Sequence, residues 1–123
     1  MERVFAYGTL KRGGRNHYLV LPYLHRVLPG RVFGFRLFHL ERGEDRPYPY
    51  PAMLPGKGWV EGEVLFLDPQ ALPLLDELEE EGVEYRRVAV QVETPEGLLT
   101  AWTYLYLGDL KGARPLPPGA WEG

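Results

Sequence analysis

The sequence predicts an α+β fold: a small curled, mostly antiparallel β-barrel with peripheral helices. Three observations carry that expectation. Five stretches, at residues 2–6, 30–40, 59–67, 85–93 and 98–107, read as strands, and the clearest of them alternate with a period of two. Glycines inside two of them, Gly34 and Gly62, supply the bends that a closing sheet needs. Only residues 69–81 carry a good helical phase. A chain of 123 residues with no internal repeat or linker suits a single domain over residues 1–123 with one core.

Taken in order, Val4-Phe5-Ala6 is an apolar strand that breaks at Tyr7-Gly8 and opens into a basic, glycine-rich loop, Thr9-Leu10-Lys11-Arg12-Gly13-Gly14. A strand that stops at glycine leaves backbone N–H groups without ladder partners, and an anion or carbonyl can take them. Gly8 lacks a Cβ, which permits close approach of a ligand and a positive φ. Residues 15–24 place His17, Val20, Leu21 and Leu24 at helical spacing, so a short helix or turn broken near Pro22 is expected. The aromatic-rich strand at 30–40 ends near His39, read as a strand-end residue and not a ligand.

Residues 41–51 are charged and then rich in proline and tyrosine, ending in Pro47-Tyr48-Pro49-Tyr50-Pro51. This is expected to be a stiff irregular loop, either a connector or a wall of a ligand pocket. In 59–67, Val60, Val64 and Phe66 are expected inward and Glu61 and Glu63 outward. Asp68 then serves as a helix N-cap with Pro69 at the first helical position, and Gly82 closes the helix at its C′ position. Val88, Val90 and Val92 face inward on the next strand, and the turn Thr94-Pro95-Glu96-Gly97 joins it to its hairpin partner. Beyond Gly108 the tail is dominated by glycine and proline until Trp121, a candidate anchor.

Composition narrows the chemistry. A net charge of −3 and a pI of about 5.6 advertise no nucleic-acid or membrane-surface partner. No apolar run is long enough to span a bilayer and the N-terminus lacks a signal-peptide layout, so a cytoplasmic location is expected. Cysteine and serine are both absent, which removes disulfides, thiolate metal sites and every Ser or Cys nucleophile. His17, His25 and His39 form no i, i+4 metal pair, and neither a Gly-x-Gly-x-x-Gly run nor a P-loop occurs. No metal and no cofactor are therefore expected, and chemistry falls to carboxylate acid/base work and backbone donors.

One carboxylate lies on the wrong face for a surface residue. With Ala71 at zero on a wheel of about 100° per residue, Leu74, Leu78, Leu75 and Leu72 set an apolar arc from roughly 300° to about 100°. Glu77 and Glu80 fall at about 240° and about 180°, toward water. Glu79 falls at about 80°, between Leu75 and Leu72. Burial and the negative end of the helix both push a carboxyl pKa upward, toward the range of a general acid/base at neutral pH. Pairing with Arg86 or Arg87 at the helix end explains the same position equally well.

The order Tyr7-Gly8-Thr9-Leu10, then Leu75-Asp76-Glu77-Leu78-Glu79, then Tyr85-Arg86-Arg87 and late Gly119-Ala120-Trp121 resembles the γ-glutamyl cyclotransferase-like superfamily, in its γ-glutamylamine cyclotransferase-like branch. The resemblance spans nearly the whole chain. It implies a small β-barrel with helices and a cofactor-free release of 5-oxoproline from a small-molecule γ-glutamyl substrate. Carried over residue by residue, it implies that Tyr7, Gly8, Thr9 and Leu10 bind the substrate's α-carboxylate and amine. Glu79 would move the proton, and Tyr85 would line the pocket. Two positions depart from the family pattern. Glu79 is followed by Glu80-Glu81-Gly82 where relatives often have glycine directly. Aligning on that glycine nominates Glu81, at about 280° on the wheel. Helix phase and the Leu-Asp spacing agree on Glu79. Ala120 stands where an aspartate is common. A non-catalytic binding module with the same pocket is the alternative reading.

Overall fold

In the computed structural model, which describes residues 1–123, five strands close into a barrel. They are β1 (Glu2–Ala6), β2 (Leu24–Leu40), β3 (Tyr50–Leu67), β4 (Tyr85–Thr94) and β5 (Gly97–Tyr106). The order around the barrel is β3-β1-β5-β4-β2, and β2 pairs back onto β3 to complete the ring. β1 runs parallel to β5, and the other contacts are antiparallel. A short β6 (Arg114–Pro115) lies beside Phe38 and His39 of β2. The helix α1 (Ala71–Leu78) packs on the outside.

Two apolar clusters explain the layering. Phe5, Val32, Met53, Val60, Val64, Val90, Val92 and Ala101 come from all five strands and fill the barrel. Val4, Ala6, Leu65, Leu67, Tyr85, Tyr104 and Tyr106 pack with Ala71 and Leu75 of α1. Where α1 covers the wall, the strands are apolar on both faces, so Val4 and Phe5 are both buried. The same double cover buries Leu65 and Leu67, while Phe66, expected inward, is only partly buried. Of the two glycines expected to bend strands, Gly34 does so, while Gly62 serves close approach in unbroken register. Gly34 has a φ of 84° at a register shift between Phe33 and Phe35, and Gly30 sits opposite Gly62. A Cβ on Gly62 would clash with the Ala6 carbonyl oxygen, so only glycine lets these strands approach.

Five expectations need correction, the last of them at the end of the helix. β2 and β3 begin earlier than 30 and 59 and take in Pro29, Pro51 and Pro55, so Tyr50-Pro51 belongs to a strand and not to the loop. Residues 15–24 form two 3-10 turns, His17–Leu19 and Leu21–Tyr23, with Pro22 inside the second. The helix covers Ala71–Leu78 and not 69–81. Asp68 does not cap it through its side chain: its Oδ1 lies 2.6 Å from His25 Nε2. Pro73 is accommodated because the first helical turn needs no N–H donor.

At the other end the helix closes through Glu80 and not Gly82. The Glu81 N–H donates to the Asp76 carbonyl and the Glu80 N–H to that of Glu77, the paired bonds of a Schellman cap. That cap needs a left-handed residue, and Glu80 supplies it at a φ of 49°, alone among the non-glycine residues. The tail is anchored as expected: the Trp121 indole N–H donates to His39 Nδ1 at 3.0 Å, and its ring stacks on the imidazole. His39 is buried near the end of β2, with Nε2 3.2 Å from Glu41.

Candidate active site

The end of β1, the start of β4 and the C-terminus of α1 meet at a cavity of about 190 Å³. Tyr7, Gly8, Thr9 and Leu10 form one wall, and Glu79 and Tyr85 form another. All six residues singled out from the sequence thus face one cavity, across some 70 residues of chain. Glu81, the alternative carboxylate, is exposed and does not line it; its Oε2 accepts the Arg87 backbone N–H at 3.1 Å.

Gly8 is required here for space and not for a positive φ. A Cβ would sit 2.7 Å from Cγ of Pro51. The turn is held by the Lys11 N–H on the Gly8 carbonyl and the Asn16 N–H on the Thr9 carbonyl. The backbone N–H groups of Gly8, Thr9 and Leu10 donate to no protein acceptor. Three free donors in one short turn are N–H groups that a carboxylate or another anion can take.

Glu79 is positioned by its neighbours in the Leu75-Asp76-Glu77-Leu78-Glu79 run. Leu75 is buried under the helix. Asp76 takes Nε and Nη2 of Arg87 in a two-pronged pair at 2.8 and 3.1 Å and the Tyr104 hydroxyl at 2.8 Å. Arg87 in turn stacks on Trp102. Since Asp76 occupies Arg87, the pairing of Glu79 with arginine does not form: Glu79 enters none of the ion pairs and accepts no hydrogen bond from a side chain. Burial is the main cause, and the Glu84 carboxylate the second, of a Glu79 pKa pushed up from 4.5 to about 7.

The aromatic wall completes the cavity. The Tyr85 hydroxyl donates to the Pro51 carbonyl at 2.8 Å, and the Tyr7 hydroxyl donates to the Tyr104 carbonyl. Burial raises both phenols well above their ordinary range, with Glu79 adding to each, so both stay neutral. With their protons committed, the two oxygens can only accept, which suits an ammonium donor. The proline-tyrosine loop also proves to be a wall: Tyr48 accepts from the Asn16 amide at 2.9 Å and Tyr50 donates to Glu84 at 2.8 Å. Sequence reasoning missed Glu84, Tyr104 and Asn16. Only the charge of Glu84 beside Tyr85 could have pointed to one of them.

The family model described as gamma-glutamyl cyclotransferase, AIG2-like, matches residues 4–123. The chain belongs to that family. Among its relatives, the mouse gamma-glutamylaminecyclotransferase is 38% identical over 99 residues, 78% of this chain and 66% of the mouse protein. The gamma-glutamylcyclotransferase family protein YtfP of Escherichia coli K12 is 32% identical over 97% of this chain and 95% of its own. In three dimensions, the crystal structure of a mouse AIG2-like protein superposes with a TM-score of 0.74 at 28% identity, over 99% of this chain and 88% of that one. The solution structure of ytfP from Escherichia coli gives 0.69 at 30% identity, over 97% and 95%. The family member's β-barrel with a single packed helix is the fold expected from the sequence.

Proposed function

We propose that the protein is a γ-glutamyl cyclotransferase that releases 5-oxoproline and an amine from a γ-glutamyl compound, with Glu79 as the general acid/base. The observation that carries the reading is the pairing of an unpartnered carboxylate titrating near 7 with three free backbone donors across one cavity. The Gly8–Leu10 amides hold the substrate's α-carboxylate. Tyr7 and Tyr85 accept from its ammonium, and the fold of the bound chain brings the α-nitrogen to the γ-carbonyl.

The reaction is an intramolecular acyl transfer. Glu79 takes a proton from the α-ammonium, the freed amine attacks the γ-carbon, and the bond from that carbon to the leaving nitrogen breaks. Overall, two protons leave the α-nitrogen and two reach the leaving nitrogen, so the product is 5-oxoproline and a protonated amine. Proximity and a shuttling carboxylate are sufficient for such a closure, because the nucleophile is part of the substrate. A carboxyl titrating near neutral pH can take and return a proton with little loss of driving force.

The test is 5-oxoproline release from a panel containing a γ-glutamyl amine, γ-glutamyl-ε-lysine and a γ-glutamyl peptide. Glu79→Gln should lower kcat by about 10²- to 10⁴-fold, the range for general acid/base catalysis, while Glu81→Gln retains activity. Loss in Glu81→Gln with near-normal Glu79→Gln would move the role to Glu81. Substrate bound but recovered intact by the parent protein would make it a binding module.

A further inference from the structure

Beyond Gly8 and Thr9 the cavity continues into an open groove of about 450 Å³, which shares those two residues and Tyr48 with it. Three cations line the groove, and two are already answered. Arg12 is held by Glu63, with Nε 3.0 Å from Oε2 and its backbone N–H on Oε1. Lys11 donates to the Trp121 carbonyl at 2.8 Å, with Glu122 also on the groove wall. Arg15 has no carboxylate partner. Its guanidinium lies over the Tyr48 ring, 4.1 Å from the centroid, and Tyr48 is fixed by the same Asn16 amide that binds the Thr9 hydroxyl at 3.0 Å. An exposed arginine is thereby held on a rigid aromatic shelf.

The opposite rim is acidic. Glu80, the chain neighbour of Glu79, and Glu84, whose carboxylate faces it, line the cavity there. A bound γ-glutamyl group with its ammonium at Glu79, Tyr7 and Tyr85 can direct its leaving group away from that rim, over Gly8 and Thr9 toward Tyr48 and Arg15. A carboxylate on the leaving group is repelled by the first rim and attracted by the second. We propose that this groove is the leaving-group subsite and that Arg15, seated on Tyr48, selects amines bearing a carboxylate over neutral or cationic amines. The inference rests on the proposed γ-glutamyl reading and names which members of that class the site takes.

Three substrates isolate the charge: γ-glutamyl-alanine, its neutral isostere γ-glutamyl-alaninamide, and the cationic γ-glutamyl-putrescine. An exposed guanidinium–carboxylate contact should favour γ-glutamyl-alanine about two- to fivefold in kcat/KM over the amide. In Arg15→Ala the ratio should fall to about one, and in Arg15→Glu it should invert, while Arg15→Lys restores part of it. A ratio reads charge selection and is not moved by a general loss of fold. No preference in the parent, a preference that survives Arg15→Ala, or faster turnover of γ-glutamyl-putrescine overturns the proposal. Calorimetric binding of the same pairs to Glu79→Gln separates the two levels of argument. Arg15-dependent discrimination in binding, with no turnover by the parent protein, supports the subsite and removes the catalytic reading. No binding of any of the three compounds overturns both.

Discussion

Glu79→Gln should make the protein more stable, and only on the alkaline side. In the unfolded chain the Glu79 carboxyl ionises at its ordinary value of 4.5, while burial, with Glu84 nearby, holds it to about 7 in the folded protein. As pH rises, the unfolded chain therefore gives up its proton first, and stability falls between 4.5 and about 7. At about 1.36 kcal/mol per pH unit that interval amounts to about 3 kcal/mol, an upper figure because the side chain keeps contact with the cavity. Glutamine has nearly the same shape and cannot ionise. The variant should exceed the parent by about 2–3 kcal/mol at pH 8 and match it at pH 4, where both states of the parent carry the proton. Urea unfolding curves of both proteins at pH 4, 6 and 8, compared at equal slope, read this directly. Equal or lower stability of the variant at pH 8 would mean that the carboxyl is solvated and ordinary. A gain of the same size at pH 4 would mean that packing, and not ionisation, is the cause.

Three further outcomes follow from the same geometry. Glu84→Gln keeps the acceptor for Tyr50 but removes the like charge beside Glu79, so the acidic limb of the kcat/KM profile should move to lower pH; it should not reach 4.5, because burial is the larger cause. Glu80→Gly should raise stability by about 1 kcal/mol in thermal or urea unfolding, since glycine meets no steric penalty at a φ of 49°. Gly8→Ala should cost about 1–3 kcal/mol through its clash with Pro51 and raise KM, both read from one protein preparation by unfolding and by initial rates.

Much of the barrel was legible because its strands alternate and Gly34 and Gly62 mark a bend and a close approach of strands. The extents of β2 and β3 were not. Pro29, Pro51 and Pro55 withhold ladder donors, and Gly56-Lys57-Gly58 interrupts the alternation, so paired backbone reads as loop. The helix terminus escaped for a related reason, because a left-handed glutamate carries no signal where glycine would announce the cap. Glu80 also explains the displaced glycine: the position after Glu79 is the one that wants glycine, and this chain places glutamate there. At the cavity, the place of Glu79 on the apolar arc could be read from helical phase alone. Tyr104 and Arg15 could not, since what brings them there is closure of the barrel and the seating of a side chain on Tyr48, neither of which leaves a local pattern.

The topology of β1 has a consequence for how the chain acquires its pocket. β1 is five residues long, yet its partners lie at residues 63–67 and at Trp102, and the Phe5 carbonyl accepts from Thr103. The first strand to be made thus waits for partners far along the chain, and closing so long a stretch is entropically slow. Until β4 and the C-terminus of α1 dock, the Gly8–Leu10 turn lacks Tyr85 and Glu79 opposite it, and the pocket is incomplete. Binding competence should therefore appear in a single kinetic phase together with the native tyrosine and tryptophan fluorescence. A γ-glutamyl ligand added during refolding should slow the unfolding rate and leave the folding rate unchanged.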